Sequence, residues 1–435
     1  MRMFDFGRKF GMNGNQLLDR RSSRRSLLRN IAASGLVPWV LPAVESAAGA
    51  SRPPAAPDDE AQWAQLRAQF VFAPQHIYFN NASLGAPPLP VLDAVAARYR
   101  NFAANPTAAK AEYFAYLETA VRPSVARLLG ADAGEIVLTR GASEGLYLVA
   151  NGMELQSGDE IVTTTHEHPG GLTPWLVRAE RSGVVVRQVA IPSPITSPEQ
   201  TVETLSRELG PRTRVLFFCH VTRGGLMYPV KELCALARSK GIVSAVDGAQ
   251  AVGALQVDVR ALGCDLYATS LHKWTLAPAG NGALYVRADM RPRFRSLFKT
   301  ADTDRALAGY YDMLGTYQFP VRAAAAAALE FIEHAGGIRA IEQRNRTLSD
   351  YLKEELLKVS GVRLISSRSA QVSSPAITLF ECAGRKSVDV ERILLDRYRI
   401  HVDDHVRDGH DALRVSTHFY NSKPEIDRLI AALRE

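Results

Sequence analysis

Cysteine is scarce and scattered in this chain. Cys219, Cys234, Cys264 and Cys382 are the only four in 435 residues. No two stand at the close spacing of a structural zinc site, and four are too few for a disulfide framework, so they read as core thiols. Long apolar runs are missing too: no segment of the mature chain offers the roughly 20 consecutive apolar residues that a membrane-spanning helix needs. Neither sign of charge dominates the body of the chain. The net charge is +7, but residues 1–49 hold eight basic and three acidic residues and so account for five of those charges. The remainder is nearly neutral and shows no basic stripe interleaved with aromatics, which argues against a nucleic-acid groove. What is present, 46% hydrophobic and 22% charged residues, is the balance of a globular protein and excludes a disordered or fibrous one. The length suits two or three compact units.

The basic N-terminus is ordered like an address. Ser23-Arg24-Arg25-Ser26-Leu27-Leu28-Arg29 resembles the twin-arginine export signal, with two large apolar residues following the arginine pair. The apolar stretch from Ile31 to Val44 is short and broken by Pro38 and Pro42, so it cannot span a bilayer as a stable helix. Ala48-Gly49-Ala50 offers small residues for cleavage, and a proline-rich linker, Arg52-Pro53-Pro54 to Pro57, follows. Read as a signal, residues 1–50 direct export through the twin-arginine translocase, and their cleavage would leave a periplasmic or secreted protein beginning near Ser51. The alternative is a disordered basic tail carrying a chance arginine pair. That export route carries folded proteins, often with a cofactor already inside.

From Asp132 onward the pattern is strand, glycine-bearing turn, helix. Runs at 135–139, 159–164, 184–189, 215–220, 242–247, 266–269 and 282–286 are continuous stretches of strand length rich in β-branched and aromatic residues. Such runs are expected when helices cover both faces of a sheet. They predict an α/β unit with a mostly parallel sheet over 76–334, after an N-terminal segment at 51–75. Arg322 to His334 predicts a helix ended by Gly336-Gly337. Strands at 361–365, 376–380 and 412–416, among helices such as 388–397, predict a smaller α+β domain over 335–435. In open parallel sheets, ligands bind at the carboxyl ends of the strands. The polar clusters of this chain fall there.

Lys273 follows one strand, in Thr269-Ser270-Leu271-His272-Lys273-Trp274. A lysine beside an aromatic ring and a histidine loses its proton more easily and can form an imine with an aldehyde. The alternative is an ordinary solvated lysine. Asp247 ends an otherwise apolar strand, where a carboxylate is costly unless it meets a cation; it could instead cap the next helix. His166-Glu167-His168 gathers three possible metal ligands, but successive residues of a strand face opposite sides, so they cannot converge without a turn. We expect no metal.

Three motifs in this order and spacing carry a resemblance: Asp247-x-x-Gln250, Ser270-x-His272-Lys273 placed 26 residues after that aspartate, and Arg414-Val415-Ser416-x-His418-x-Tyr420-Asn421. The chain, from about Ile77-Tyr78-Phe79-Asn80-Asn81 to its end, resembles the class V aminotransferase family of fold-type I, pyridoxal 5′-phosphate (PLP)-dependent enzymes, in the group that includes isopenicillin N epimerase. The resemblance implies a seven-stranded, mostly parallel sheet domain and a smaller C-terminal domain. It implies that Lys273 carries the cofactor and shuttles protons at the substrate α-carbon, that Asp247 pairs with the ring nitrogen, and that Gln250 meets the phenolic oxygen. It places His168 over the ring and Thr222 in a cofactor-contacting loop. The phosphate would rest on the helix opening at Gly141-Ala142-Ser143, with Ser143, Ser270 and His272 as added donors. Gly315 and Thr316 would reach the neighbouring subunit's phosphate, which implies a homodimer. Arg414 would take the substrate carboxylate, with Asn81 beside it; the alternative for Arg414 is a strand arginine in an ion pair. Arg223 departs from the family, which more often has asparagine there, and points to an arginine reaching the substrate.

PLP chemistry starts alike for epimerisation, transamination and elimination, and the protein directs the outcome. Persulfide-forming desulfuration needs a loop cysteine in the C-terminal domain, and Ser366–Ser374 and Arg399–Asp411 contain none. The expectation is epimerisation or aminotransfer of an amino acid or small peptide, with a carbon–sulfur lyase or a noncatalytic exported binding protein as alternatives.

Overall fold

The computed structural model describes residues 59–295 and 316–435. The export-signal region 1–50 and Gly315 lie outside them. The described residues form one compact unit.

Strands β1 to β8 are Ile77–Tyr78, Ile136–Thr139, Glu160–Thr164, Val185–Val189, Thr213–Cys219, Val243–Asp247, Leu266–Ser270 and Gly282–Val286. The last seven build one sheet in the order β2-β8-β7-β6-β5-β3-β4. Only β8 runs antiparallel to its neighbours; β7, β6, β5, β3 and β4 pair in parallel. The reason is visible in a single strand. In β5, Leu216 and Phe218 enter one apolar cluster while Val215 and Phe217 enter another on the opposite face, and all four are fully buried. At about 1.5–3 kcal/mol for each buried side chain of this kind, such a run is stable only between two helical layers.

Strands β9 to β13 are Val362–Leu364, Ile377–Cys382, Ile400–His401, Asp403–Arg407 and His410–Ser416. Four of them form an antiparallel sheet in the order β12-β13-β10-β9, and β11 pairs in parallel with β1. The predicted helix at 322–334 begins earlier, at Phe319, and is divided at Ala324. Gly336 and Gly337, with φ of 103° and 76°, then reverse the chain into helix Gly337–Leu356. The segment expected as an N-terminal lead, 51–75, contains helix Glu60–Arg67. It is tied to the C-terminal region by a two-pronged bond from buried Arg344 to Glu60 and by Phe70 against Phe419 and Tyr420. Among the described residues no helix is long and apolar enough to cross a membrane.

Candidate functional site

Five strands of the large sheet end on one cavity of about 710 Å³, a size that suits a small organic ligand. After β2 come Gly141, Ala142 and Ser143; after β3, His166 and His168; after β5, Val221 and Arg223. Asp247, Ala249 and Gln250 follow at the end of β6, and Ser270, His272 and Lys273 at the end of β7.

Helix Ala142–Gly152 starts at the cavity wall with no side-chain cap on Gly141, so its first N–H groups depend on partners from elsewhere. Ala142 N–H donates to Ser270 Oγ at 2.9 Å, which leaves the Ser270 proton free to donate. The close approach of β8 here requires glycine. A Cβ on Gly282 would lie 2.4 Å from the Gly141 Cα, and one on Gly141 would lie 3.0 Å from the His272 ring. His272 Nδ1 donates to the Asn281 carbonyl at 3.0 Å. Its pKa is lowered, by burial first and then by Lys273, so the neutral ring presents Nε2 as an acceptor and gives a phosphate a donor only when protonated.

Asp247 is buried; one carboxylate oxygen accepts the Ala249 N–H at 2.9 Å. Burial raises its pKa, against the opposing pull of that N–H and of Lys273. The Lys273 amine falls to about 8, chiefly through burial; Asp247 opposes the shift, while Arg414 and Arg223 add to it. No described residue hydrogen-bonds this amine. Its backbone, by contrast, is clamped. Gly85 N–H donates to the His272 carbonyl, and a Cβ on Gly85 would sit 2.0 Å from the Lys273 carbonyl oxygen. Leu276, at φ 59°, closes the loop in a left-handed conformation that a branched side chain adopts only under constraint.

His168 caps helix Pro169–Ser182 by accepting the Gly170 N–H on Nδ1 at 3.0 Å. Burial and the surrounding cations, Lys273 first, bring its pKa down to about 4, so the ring is neutral. The neighbours sometimes read as metal ligands go separate ways. His166 meets the Tyr228 hydroxyl at 2.9 Å, and Glu167 Oε1 accepts from Thr164 Oγ1 and Cys219 N. Glu167 is wholly buried, its Oε2 has no partner, and burial drives its pKa up to about 8.

Four of the residues expected to contact cofactor or substrate hold partners within this chain. Asn81 does not line the cavity; its Oδ1 accepts from Tyr420 and its Nδ2 reaches the Lys273 carbonyl at 3.5 Å, so it braces the lysine loop. The Thr222 hydroxyl accepts the Leu226 N–H inside its own turn. Thr316 is exposed and meets Lys110. Arg414 is buried behind the wall, bonded to Asp403, Asn80 Oδ1 and Ser83 Oγ. Gln250 does line the cavity, with its Nε2 on the Ala82 carbonyl and its Oε1 accepting from Trp274. The rest of the C-terminal motif braces the lysine loop and strand β1. His418 Nε2 donates to the Trp274 carbonyl at 3.1 Å, and Asn421 holds the Tyr78 carbonyl.

Sequence reasoning missed Ser83, Asp403 and His405. No spacing signal links them to the strand ends, because they come from more than 50 residues away along the chain.

The arrangement meets the three chemical demands of PLP at one cavity. It offers a helix start and a serine hydroxyl for the phosphate, a buried carboxylate for a cationic ring nitrogen, and an amine with a depressed pKa for the aldehyde. Gly141–Ser143, Ser270, Asp247, Gln250, His168 and Lys273 would hold it.

Comparison with known proteins points the same way. The family model for aminotransferase class-V matches residues 77–429. Over 393 residues the chain is 34% identical to isopenicillin N epimerase of Amycolatopsis lactamdurans, spanning 86% of this chain and 98% of that protein. It is 30% identical over 415 residues to a probable cysteine desulfurase of Xylella fastidiosa, spanning 88% of this chain and 96% of that one. A solved structure of a C-DES variant with glycine covalently linked to its PLP cofactor matches with a TM-score of 0.78 at 26% identity, over 85% of this chain and 99% of that one.

Proposed function

The chain belongs to the class V aminotransferase family and is a PLP-dependent enzyme; from that premise we propose that it epimerises, or transfers the amino group of, an amino acid or small peptide at the α-carbon. The observation that carries this reading is the meeting of Lys273, Asp247 and His168 on the wall of one cavity that also contains a helix start. When bound, the cofactor supplies an aldehyde for the lysine and a ring that withdraws electrons from the substrate α-carbon. The chain's own residues do the rest. With a pKa near 8, the Lys273 amine is partly neutral at neutral pH, so it can act as a nucleophile and afterwards take and return the α-proton. Asp247 stabilises positive charge at the ring nitrogen. The uncharged His168 gives the ring a flat neighbour. Gly141–Ser143 and Ser270 anchor the anionic end.

A carbon–sulfur lyase is the second reading, favoured by the desulfurase relatives. Its persulfide-forming version lacks a nucleophile. Cys219 lines the cavity, but burial first, then Glu167 and Asp247, raise its pKa far above the ordinary thiol value, which keeps it protonated. Cys382 stands at the end of β10 with its pKa raised by burial. Homodimerisation with shared sites and export by the twin-arginine route, supported by the sequence patterns at 315–316 and 1–50, belong to the same proposal.

The test is a panel of L-amino acids and small peptides with the holoenzyme in deuterated water. Deuterium at the α-carbon with inverted configuration marks an epimerase, and a keto acid marks an aminotransferase. Pyruvate with sulfide from cysteine, or with cysteine persulfide from cystine, and neither an inverted α-deuterated product nor a keto acid that keeps its substrate's side chain, would overturn the proposal in favour of the lyase.

A further inference from the structure

Two of the four thiols, 30 residues apart in the chain, are in contact: the Cys234 thiol donates to Cys264 Sγ at 3.8 Å. Both are buried, at 2% and 1% exposure. Cys234 lies on helix Val230–Ser239, and Cys264 lies in the short link between the single-turn helix Val259–Leu262 and β7. Two thiols can meet merely as small apolar groups in a core, so what holds their backbones decides the matter.

Those backbones are tied on both sides of the sulfur contact. Arg238 follows Cys234 by four residues and so shares its helix face; its guanidinium donates to the Gly263 carbonyl at 2.7 Å. Gly263, at φ 73°, turns the chain, and the Cys264 N–H then donates to the Val259 carbonyl at 3.1 Å. On the other side, Asp265 Oδ2 accepts from the N–H and the hydroxyl of Ser244 in β6, at 2.7 and 3.0 Å. Cys264 thus stands between two anchored neighbours. Disulfide sulfurs are about 2.05 Å apart, so closure asks each sulfur to move by only about 1 Å.

The pair sits at the amino ends of β6 and β7, whereas the cavity opens at their carboxyl ends and is lined by neither cysteine. At about 3.3 Å per residue the two places are roughly 15 Å apart along the strands. A link here closes a loop of chain that contains β6, Asp247 and Gln250 without entering the cavity.

We propose that Cys234 and Cys264 are a convertible dithiol that closes to a disulfide, tying helix Val230–Ser239 to the start of β7 and stabilising the fold without altering the site. The oxidant is a small disulfide. One protein thiolate attacks it and expels a first thiol, and the other protein thiolate displaces the half that remains. The protein gives up two electrons and two protons, and one oxidant disulfide leaves as two thiols. The bond with Cys234, and then burial, keeps Cys264 protonated, so closure is slow at neutral pH and quickens as pH rises. The export proposed above would bring the chain to surroundings where disulfides persist. Closure does not depend on which reaction the enzyme performs.

The experiment treats reduced holoenzyme with bis(2-hydroxyethyl) disulfide at pH 8.5, maps unreduced tryptic peptides by mass, and follows melting and cofactor absorbance. The expected product joins peptide 232–238 to peptide 261–273 with the loss of two hydrogens. Closing a loop of this length raises the melting temperature by roughly 4 °C, with cofactor absorbance unchanged. Cys234→Ala, compared with itself before and after oxidant, shows neither the link nor the rise. The proposal is overturned if the two peptides stay unlinked, if either cysteine pairs with Cys219 or Cys382 instead, or if the linked protein melts no higher. A link that strips the cofactor overturns it too.

Discussion

The depressed pKa of Lys273 has a consequence for the cofactor-free protein that runs against ordinary packing intuition. In the unfolded chain this amine titrates near 10.5, and in the folded chain near 8. Below pH 8 both states carry the proton, and folding must bury a charge. Above 10.5 neither does, and the penalty vanishes. The difference of two to three pH units corresponds to about 3 kcal/mol. Lys273→Met keeps the length of the side chain and removes the charge, so the cofactor-free variant should be more stable than wild type at pH 7 by up to that amount. The advantage should shrink as pH rises from 8 to 10.5. Urea unfolding of both apoproteins at pH 7 and pH 10 measures it. The same titration governs capture of the cofactor aldehyde, which needs the neutral amine. At pH 7 roughly a tenth of the Lys273 amines are neutral, about 300 times the fraction of a free lysine. The capture rate should climb about tenfold per pH unit up to 8 and then level off. Asp247→Asn removes the charge that holds the lysine's pKa up and should move the break to lower pH. A rate that climbs without a break to pH 10, together with a destabilised Met variant, refutes the reasoning.

Three further perturbations follow from the geometry. Gly85→Ala drives a Cβ into the Lys273 carbonyl, so the cofactor absorbance should fall by a larger fraction than the melting temperature drops; an unchanged holoenzyme spectrum contradicts the clamp. Glu167 titrates near 8 in the fold against about 4.5 unfolded, so its contribution to stability is lost as pH rises through that window. Glu167→Gln should therefore gain on wild type by up to about 1.4 kcal/mol per pH unit between 4.5 and 8, measured by urea unfolding at pH 6 and 8. Ser270→Ala leaves the Ala142 N–H without its acceptor and should weaken cofactor affinity about tenfold in equilibrium dialysis, with the sheet intact by circular dichroism.

The large sheet was legible because its strands are buried on both faces and therefore read as unbroken β-branched and aromatic runs. Strands β1 and β11 were not, since two residues carry no period. Strand β12, Asp-Asp-His-Val-Arg, reads as a loop because its polar groups are met from outside the strand: Asp403 and His405 by distant Arg223, and His405 also by nearby Asp408. The same reason limits the site. Lys273 and Asp247 stand at strand ends, where local pattern points to ligands. Strand position is silent on the partners of Arg414, since Asp403, Asn80 and Ser83 come to it from other elements. Asn81 illustrates the point from the other side. It is a polar residue in a matching motif, yet the structure spends it on the backbone of the lysine loop.

The central claim is that one amine of this chain carries the cofactor. Borohydride reduction of the holoenzyme followed by proteolysis and peptide mass analysis tests it directly. The account predicts a single pyridoxyl mass addition on the peptide containing Lys273, absent from Lys273→Ala. A label on another lysine, or none on a protein that retains the cofactor's absorbance, would contradict it.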